Sequence, residues 1–209
     1  LDSVYIGRNI NYSIASDKGY SPFYHNTKLR SVVITDKESE VTANEFSGCT
    51  ALQTIQLGSK ISSIGERAFH TCSKLEGIVI PDAVDTLGNN TFENCSSMTF
   101  VKMGNRVKTI PKYSFSGCSS LATIQIPQNV TNIGDYVFDG CTSLETVLMD
   151  DGETELTLGS NGSSPLFASC PLDSVYIGRN INYSIASNKG YSPFYHNTKL
   201  RSVVITDKE

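Results

Sequence analysis

The chain has 209 residues, 39% hydrophobic and 18% charged, and its 17 Lys and Arg against 21 Asp and Glu give a net charge of −4. Its basic residues form no cluster that would offer an electrostatic footprint, so neither nucleic acid nor an anionic membrane surface is expected as a partner. It also has no run of about 18 apolar residues, so no segment is expected to insert into a membrane.

The first residues, Leu1-Asp-Ser-Val-Tyr-Ile, already read as a strand, with no signal-peptide pattern before them. Further strand motifs start at Leu29, Leu52, Leu75, Met98, Leu121, Leu144, Leu172 and Leu200. Each is followed at the third and fifth positions by apolar residues, as in Leu121, Ile124 and Ile126. Apolar residues two apart and rich in Ile and Val suit one face of a strand. The starts recur every 23 residues from Leu29 to Leu144, while the first interval and the last two are 28. The additional residues fall between a strand and the next Phe, where they should form longer loops without breaking the stack.

In two of the central units, Pro81 and Pro127 stop the strand, because Pro supplies no ladder donor. A second apolar pair follows, such as Leu87-Gly88 or Ile133-Gly134, and the Gly is expected to permit a turn at positive φ. The stretch Glu66-Arg-Ala-Phe-His reads as one helical turn at most. Each unit is then a coil of strand, turn, short extended piece and tight turn, with Phe and Cys inward. A unit this small cannot bury its own core, so stability must come from its neighbours. Residues 1–209 are expected to form one solenoid domain of about nine strand units. Solenoids end in atypical caps, and neither terminus reads as one, so the sequence is expected to be part of a longer chain.

Cys49, Cys72, Cys95, Cys118 and Cys141 are each 23 positions apart. Equivalent atoms of adjacent coils sit about 4.8 Å apart with parallel Cα–Cβ vectors, whereas a disulfide needs Cβ atoms about 3.8 Å apart and facing. The expectation is a ladder of buried free thiols acting as small hydrophobes. Cys170, beside Pro171, departs from the period. A zinc site needs convergent ligands, which a straight ladder does not supply. The acidic stretch Asp150 to Glu155 lacks EF-hand spacing and reads as a solvated loop. Three His and no G-x-S-x-G, H-E-x-x-H or phosphate-loop motif give no catalytic residue, metal or cofactor to expect.

Residues 1–38 reappear as residues 172–209, differing only at Asp17 against Asn188. Eight of the ten Tyr lie in these two segments, including Tyr5, Tyr20, Tyr176 and Tyr191. Duplication alone accounts for the identity, and so does selection for linked binding units, whose avidity grows with number.

The units Leu121-x-x-Ile-x-Ile-Pro-x-x-Val-x-x-Ile-Gly-x-x-Val-Phe-x-x-Cys and Leu52-x-x-Ile-x-Leu-x-x-x-Ile-x-x-Ile-Gly-x-x-Ala-Phe-x-x-Cys resemble the BspA-like leucine-rich repeat of bacterial surface and secreted proteins. The resemblance implies a leucine-rich-repeat solenoid. It would carry a parallel β-sheet on one face, with turns, short extended segments and short helical turns on the other. It further implies an extracellular or cell-surface protein that mediates adhesion or host and matrix binding. In the longer units Asn26 and Asn197 stand at the Cys position, a departure from the family pattern.

The residue between the last two apolar positions of each strand should point away from the core. Down the stack these are Tyr5, Val33, Gln56, Val79, Lys102, Gln125, Leu148, Tyr176 and Val204. Six of the nine are apolar or aromatic, more than a solvated face requires, and Phe100 would add to the patch if it also faces out. The candidate binding residues are therefore Tyr5, Val33, Val79, Phe100, Lys102, Leu148, Tyr176 and Val204 on the sheet face, with Tyr20 and Tyr191 on the longer loops. The expected function is non-enzymatic recognition of a protein or other surface macromolecule, with a glycan as a possible ligand. A structural spacer presenting another domain is the runner-up. A carbohydrate-active enzyme would need paired carboxylates in a cleft, which a regular stack does not suggest.

Overall fold

The structure, a computed structural model, describes residues 1–7, 21–161, 164–183 and 192–206. Every expected face strand is present, beginning two residues after its leading Leu or Met. They are Ser3–Ile6, Ser31–Ile34, Thr54–Gln56, Gly77–Val79, Phe100–Lys102, Thr123–Ile126, Thr146–Met149, Ser174–Ile177 and Ser202–Ile205. All ladders among them are parallel, and pairing keeps equivalent residues level: Tyr5 with Val33 and Gln56, Val79 with Lys102, and Gln125 with Leu148, Tyr176 and Val204. The alternate side chains Val32, Ile78, Ile124, Val147 and Val175 are buried. A period of two thus divides each strand between core and solvent.

The short extended pieces form a second parallel sheet surface. Glu40–Val41, Ser63–Ile64 and Thr86–Leu87 pair in one ladder, and Thr109–Ile110, Asn132–Ile133, Leu156–Leu158 and Ile181–Tyr183 in another. The glycines after these pieces do not have positive φ, contrary to expectation. Gly65, Gly88 and Gly134 are required by close approach instead, because a Cβ there would collide with the backbone of Ala43, Glu66 and Lys112 in the preceding coil.

The expected helical turn is also absent, and among the described residues there is no helix. Around each central Phe, the residues two before and two after it are left-handed. Arg67 (φ 54°) and Thr71 (φ 61°) flank Phe69, and Asn90 and Asn94 flank Phe92. Left-handed residues this frequent cannot propagate a right-handed helix, and each non-Gly one costs about 1–2 kcal/mol. They turn alternate N–H groups toward the next coil, where Asn44, Phe46 and Gly48 donate to the carbonyls of Glu66, Ala68 and His70 at 2.9, 2.8 and 2.8 Å. The turn is thereby hydrogen-bonded from coil to coil as a sheet is.

The core follows the sequence period. Phe23, Phe46, Phe69, Phe92, Phe115, Phe138, Phe167 and Phe194 form one stack with ring centroids 5.2–6.3 Å apart. The six Cys are free and buried. Each thiol donates to the carbonyl of the Phe one coil back, from Cys49 on Phe23 at 3.1 Å to Cys170 on Phe138 at 3.5 Å. Cys170 therefore keeps its column although its unit is longer. Asn197 takes over the same task, its Nδ2 donating to the carbonyls of Phe167 (3.0 Å) and Cys170 (2.8 Å). Burial pushes the Cys49 thiol up to about 11 and the Cys170 thiol to about 12, so both remain S–H donors at neutral pH.

Candidate binding face

The outward positions share one row on the strand face, but with unequal exposure. Tyr5 is 73% exposed, Val79 and Phe100 are each 51% exposed, and Val204 and Lys102 are exposed as well. Val33, Leu148 and Tyr176 are half-buried. The Tyr176 hydroxyl donates to Asp151 Oδ1 at 2.8 Å, and this bond raises its pKa above the ordinary phenol value. Tyr20 and Tyr191 lie outside the described residues.

Phe100 does face out, and its seat is built. The other outward column of the strands is a run of hydroxyl residues: Ser3, Ser31, Thr54, Thr123, Thr146, Ser174 and Ser202. Gly77 and Phe100 are its exceptions, paired directly across one ladder. The Phe100 ring occupies the space that a side chain at position 77 would fill, since a Cβ there would overlap three of its atoms. A large aromatic ring is thus laid flat over glycine backbone, half in water, with Val79 and Lys102 next to it.

At Val79 and Lys102 the sheet opens into a cleft of about 530 Å³ crossing three coils. Ile55, Leu57, Ile80, Pro81 and Met103 give it apolar walls, and Gln56, Ser59, Asp82, Lys102 and Asn105 form its rim. It exists because Ile55, an inward residue of its strand, is only partly covered, whereas Val32 and Ile78 in neighbouring coils are sealed. Asp82 Oδ1 accepts the Asn105 N–H at 2.9 Å, one coil on. A smaller depression of about 230 Å³ continues along the same rim past Lys102 to Gln125 and Asp150, where Gln125 Nε2 donates to the Asp150 carboxylate at 2.9 and 3.1 Å.

Two further clusters have no counterpart among the residues expected from the sequence. Arg179, buried to 4% exposure, reaches past its neighbouring coil and donates to the carbonyls of Pro127, Gln128 and Val130 at 2.8, 2.6 and 2.8 Å. Burial lowers its pKa from the ordinary guanidinium value, with Asp150 opposing. Tyr113 and Tyr136 stack at 4.8 Å, with Lys112 Nζ 5.0 and 5.3 Å from the two ring centres. Their spacing of 23 residues was the available clue. Among the described residues no three His, Cys, Asp or Glu side chains converge as metal ligands, and no helix is long and apolar enough to cross a membrane. The acidic stretch is instead hydrogen-bonded to following coils, with Asp151 also accepting from Thr206 Oγ1 and Glu155 from Asn182.

Residues 19–145 match the BspA type leucine rich repeat region in six copies. Among solved structures, the chain is similar to the leucine rich repeat protein of T. pallidum, at 30% identity over 76% of this chain and 67% of that one, with a TM-score of 0.62. A leucine-rich repeat protein from Bacteroides ovatus shares the fold at 23% identity over 98% and 69% of the two chains, also with a TM-score of 0.62. No curated protein sequence matches it. The repeat period, the stacked Phe and Cys columns and these matches agree: the chain belongs to the BspA type leucine rich repeat family.

Proposed function

We propose that the chain is a non-enzymatic binding module of a secreted or cell-surface protein, and that it recognises another protein through its outer strand face. Residues 1–209 act in this reading as one continuous solenoid. The observation that carries it is the half-exposed Phe100 ring, seated over Gly77 beside Val79 and Lys102. A solvent-exposed aromatic ring with a fixed position loses little conformational freedom on binding, and such rings dominate interface energetics. Family membership supports the extracellular setting and the choice of a macromolecular ligand. Tyr5, Val33, Leu148, Tyr176 and Val204 extend the same row, and Tyr20 and Tyr191 belong to the proposal as secondary contacts.

The test is a binding screen of the chain against extracellular-matrix and host-surface glycoproteins, repeated with Val79→Ser/Phe100→Ser and with Tyr5→Ala/Tyr176→Ala. Loss of a specific interaction by at least tenfold in the first variant is the expected result. A specific protein ligand held equally well by both variants would rule out the strand face. A spacer would bind nothing in the panel.

A further inference from the structure

The cleft at Val79 and Lys102 has a chemistry that narrows the class of partner, provided that the protein-recognition reading above holds. Its volume of about 530 Å³ falls within the range of about 300–1,000 Å³ in which concave sites enclose compact ligands. A flat protein surface would not fill it, but side chains from a protruding segment would. From Ile55 and Leu57 to Met103 the cleft crosses two coil steps, about 9.6 Å at the interstrand spacing, the reach of about three extended residues. Gln56 and Asn105 line it with amide groups able to exchange hydrogen bonds with peptide groups lying across the coils, while the Ser59 hydroxyl, donating to Asp36 at 3.0 Å, can still accept.

The cleft carries one charge of each sign, and the two differ in how they are engaged. Lys102 is the one cation lining the cleft, exposed, and it makes no ion pair among the described residues. Asp82 is the one carboxylate, and its Oδ1 is already engaged by the Asn105 N–H. An incoming acidic group therefore meets an uncommitted ammonium next to apolar walls. We infer that the cleft lined by Leu57, Pro81, Met103 and Lys102 receives an extended acidic peptide segment, an apolar side chain entering between the walls and an adjacent carboxylate pairing with Lys102.

The protein carries its own reporter. Of its three Met, Met103 lines the cleft at 6% exposure, while Met98 and Met149 are fully buried elsewhere in the core. With methyl-13C-labelled methionine, the full chain is titrated with acetyl-Leu-Phe-Glu-amide and with its Gln and Lys counterparts. The expected result is a saturable shift of the Met103 methyl alone, with the Glu peptide binding at least threefold tighter than the Lys peptide. Lys102→Glu should invert that order while leaving the Met98 and Met149 signals in place, which shows that the variant is folded. No Met103 response, equal affinity for the Glu and Lys peptides, or an order unchanged by Lys102→Glu would overturn the inference. A protein ligand lost on Phe100→Ser with Met103 silent to all three peptides would sink the inference alone. A Met103 response with no protein bound in the panel would sink the protein-recognition reading and uphold the chemistry of the cleft.

Discussion

Arg179 holds together three successive coils, and removing it has a calculable cost. Its guanidinium donates to the carbonyls of Pro127, Gln128 and Val130. Pro127 O also accepts the Val130 N–H at 3.0 Å, and Gln128 is an exposed residue, so truncation strands chiefly the buried Val130 O. Each unsatisfied buried carbonyl costs about 1–3 kcal/mol, and loss of the long side chain leaves a void against Gly152. Offsetting this, the native arginine is itself desolvated and its Nε has no partner among the described residues, so a net loss of about 2 kcal/mol is expected for Arg179→Ala. Arg179→Lys, which keeps the charge but cannot span three acceptors with one nitrogen, should lose about 1–2 kcal/mol. Because stacked repeats need not unfold as one unit, amide hydrogen exchange is the better assay. Exchange should accelerate in 152–158 and 174–183, leaving the coils around Phe46 and Phe69 unchanged. Equal exchange rates in Arg179→Ala and the parent protein would refute the staple.

The thiol ladder sets a pH limit: folding raises the thiol pKa values, so its contribution is complete below about pH 9 and is lost as pH climbs toward 11, the value of Cys49. Urea midpoints should fall between pH 9 and 11, and iodoacetamide at pH 8 should label no Cys in the native protein and six in denaturant; native labelling of any Cys at the peptide rate would contradict the ladder. Phe115→Ala, in the middle of the Phe stack, should cost about 3–5 kcal/mol. Phe100→Ala, at a half-exposed site, should cost under about 1.5 kcal/mol in denaturant titrations; equal costs would mean that Phe100 is core. Gly77→Ala should fold normally yet displace the Phe100 ring, seen as a change in its ring proton shifts, and should weaken whatever protein ligand the screen identifies.

The strand positions, the inward Phe and Cys columns and the row of outward residues were legible because each is a local consequence of period two or period 23. The Gly after the second apolar pair was legible as a requirement but not for its reason. Its pattern reads as a positive-φ turn, whereas the reason at Gly88 is the backbone of Glu66 lying against it, which no single repeat reveals. The Glu66–His70 turn looked helical because its composition does not exclude a helix, while the alternating left-handed residues depend on bonds to the next coil. The cleft and Arg179 were not legible. One arises from incomplete cover over Ile55, and the other from carbonyls two coils away, and neither is a property of a single repeat. The Gly77–Phe100 seat lay between. Its interruption of a Ser/Thr column is visible in the sequence once the register of the strands is known.

The proposed binding face is tested most directly by where a partner touches the solenoid. Hydroxyl-radical footprinting of the chain, alone and saturated with a protein ligand from the screen, reads Phe100 and Met103 on the strand face against Tyr113 and Tyr136 on the Phe turns. Protection of Phe100 and Met103 with unchanged labelling of the tyrosine pair is the expected result. Protection of Tyr113 and Tyr136 with Phe100 labelled as freely as before would contradict it.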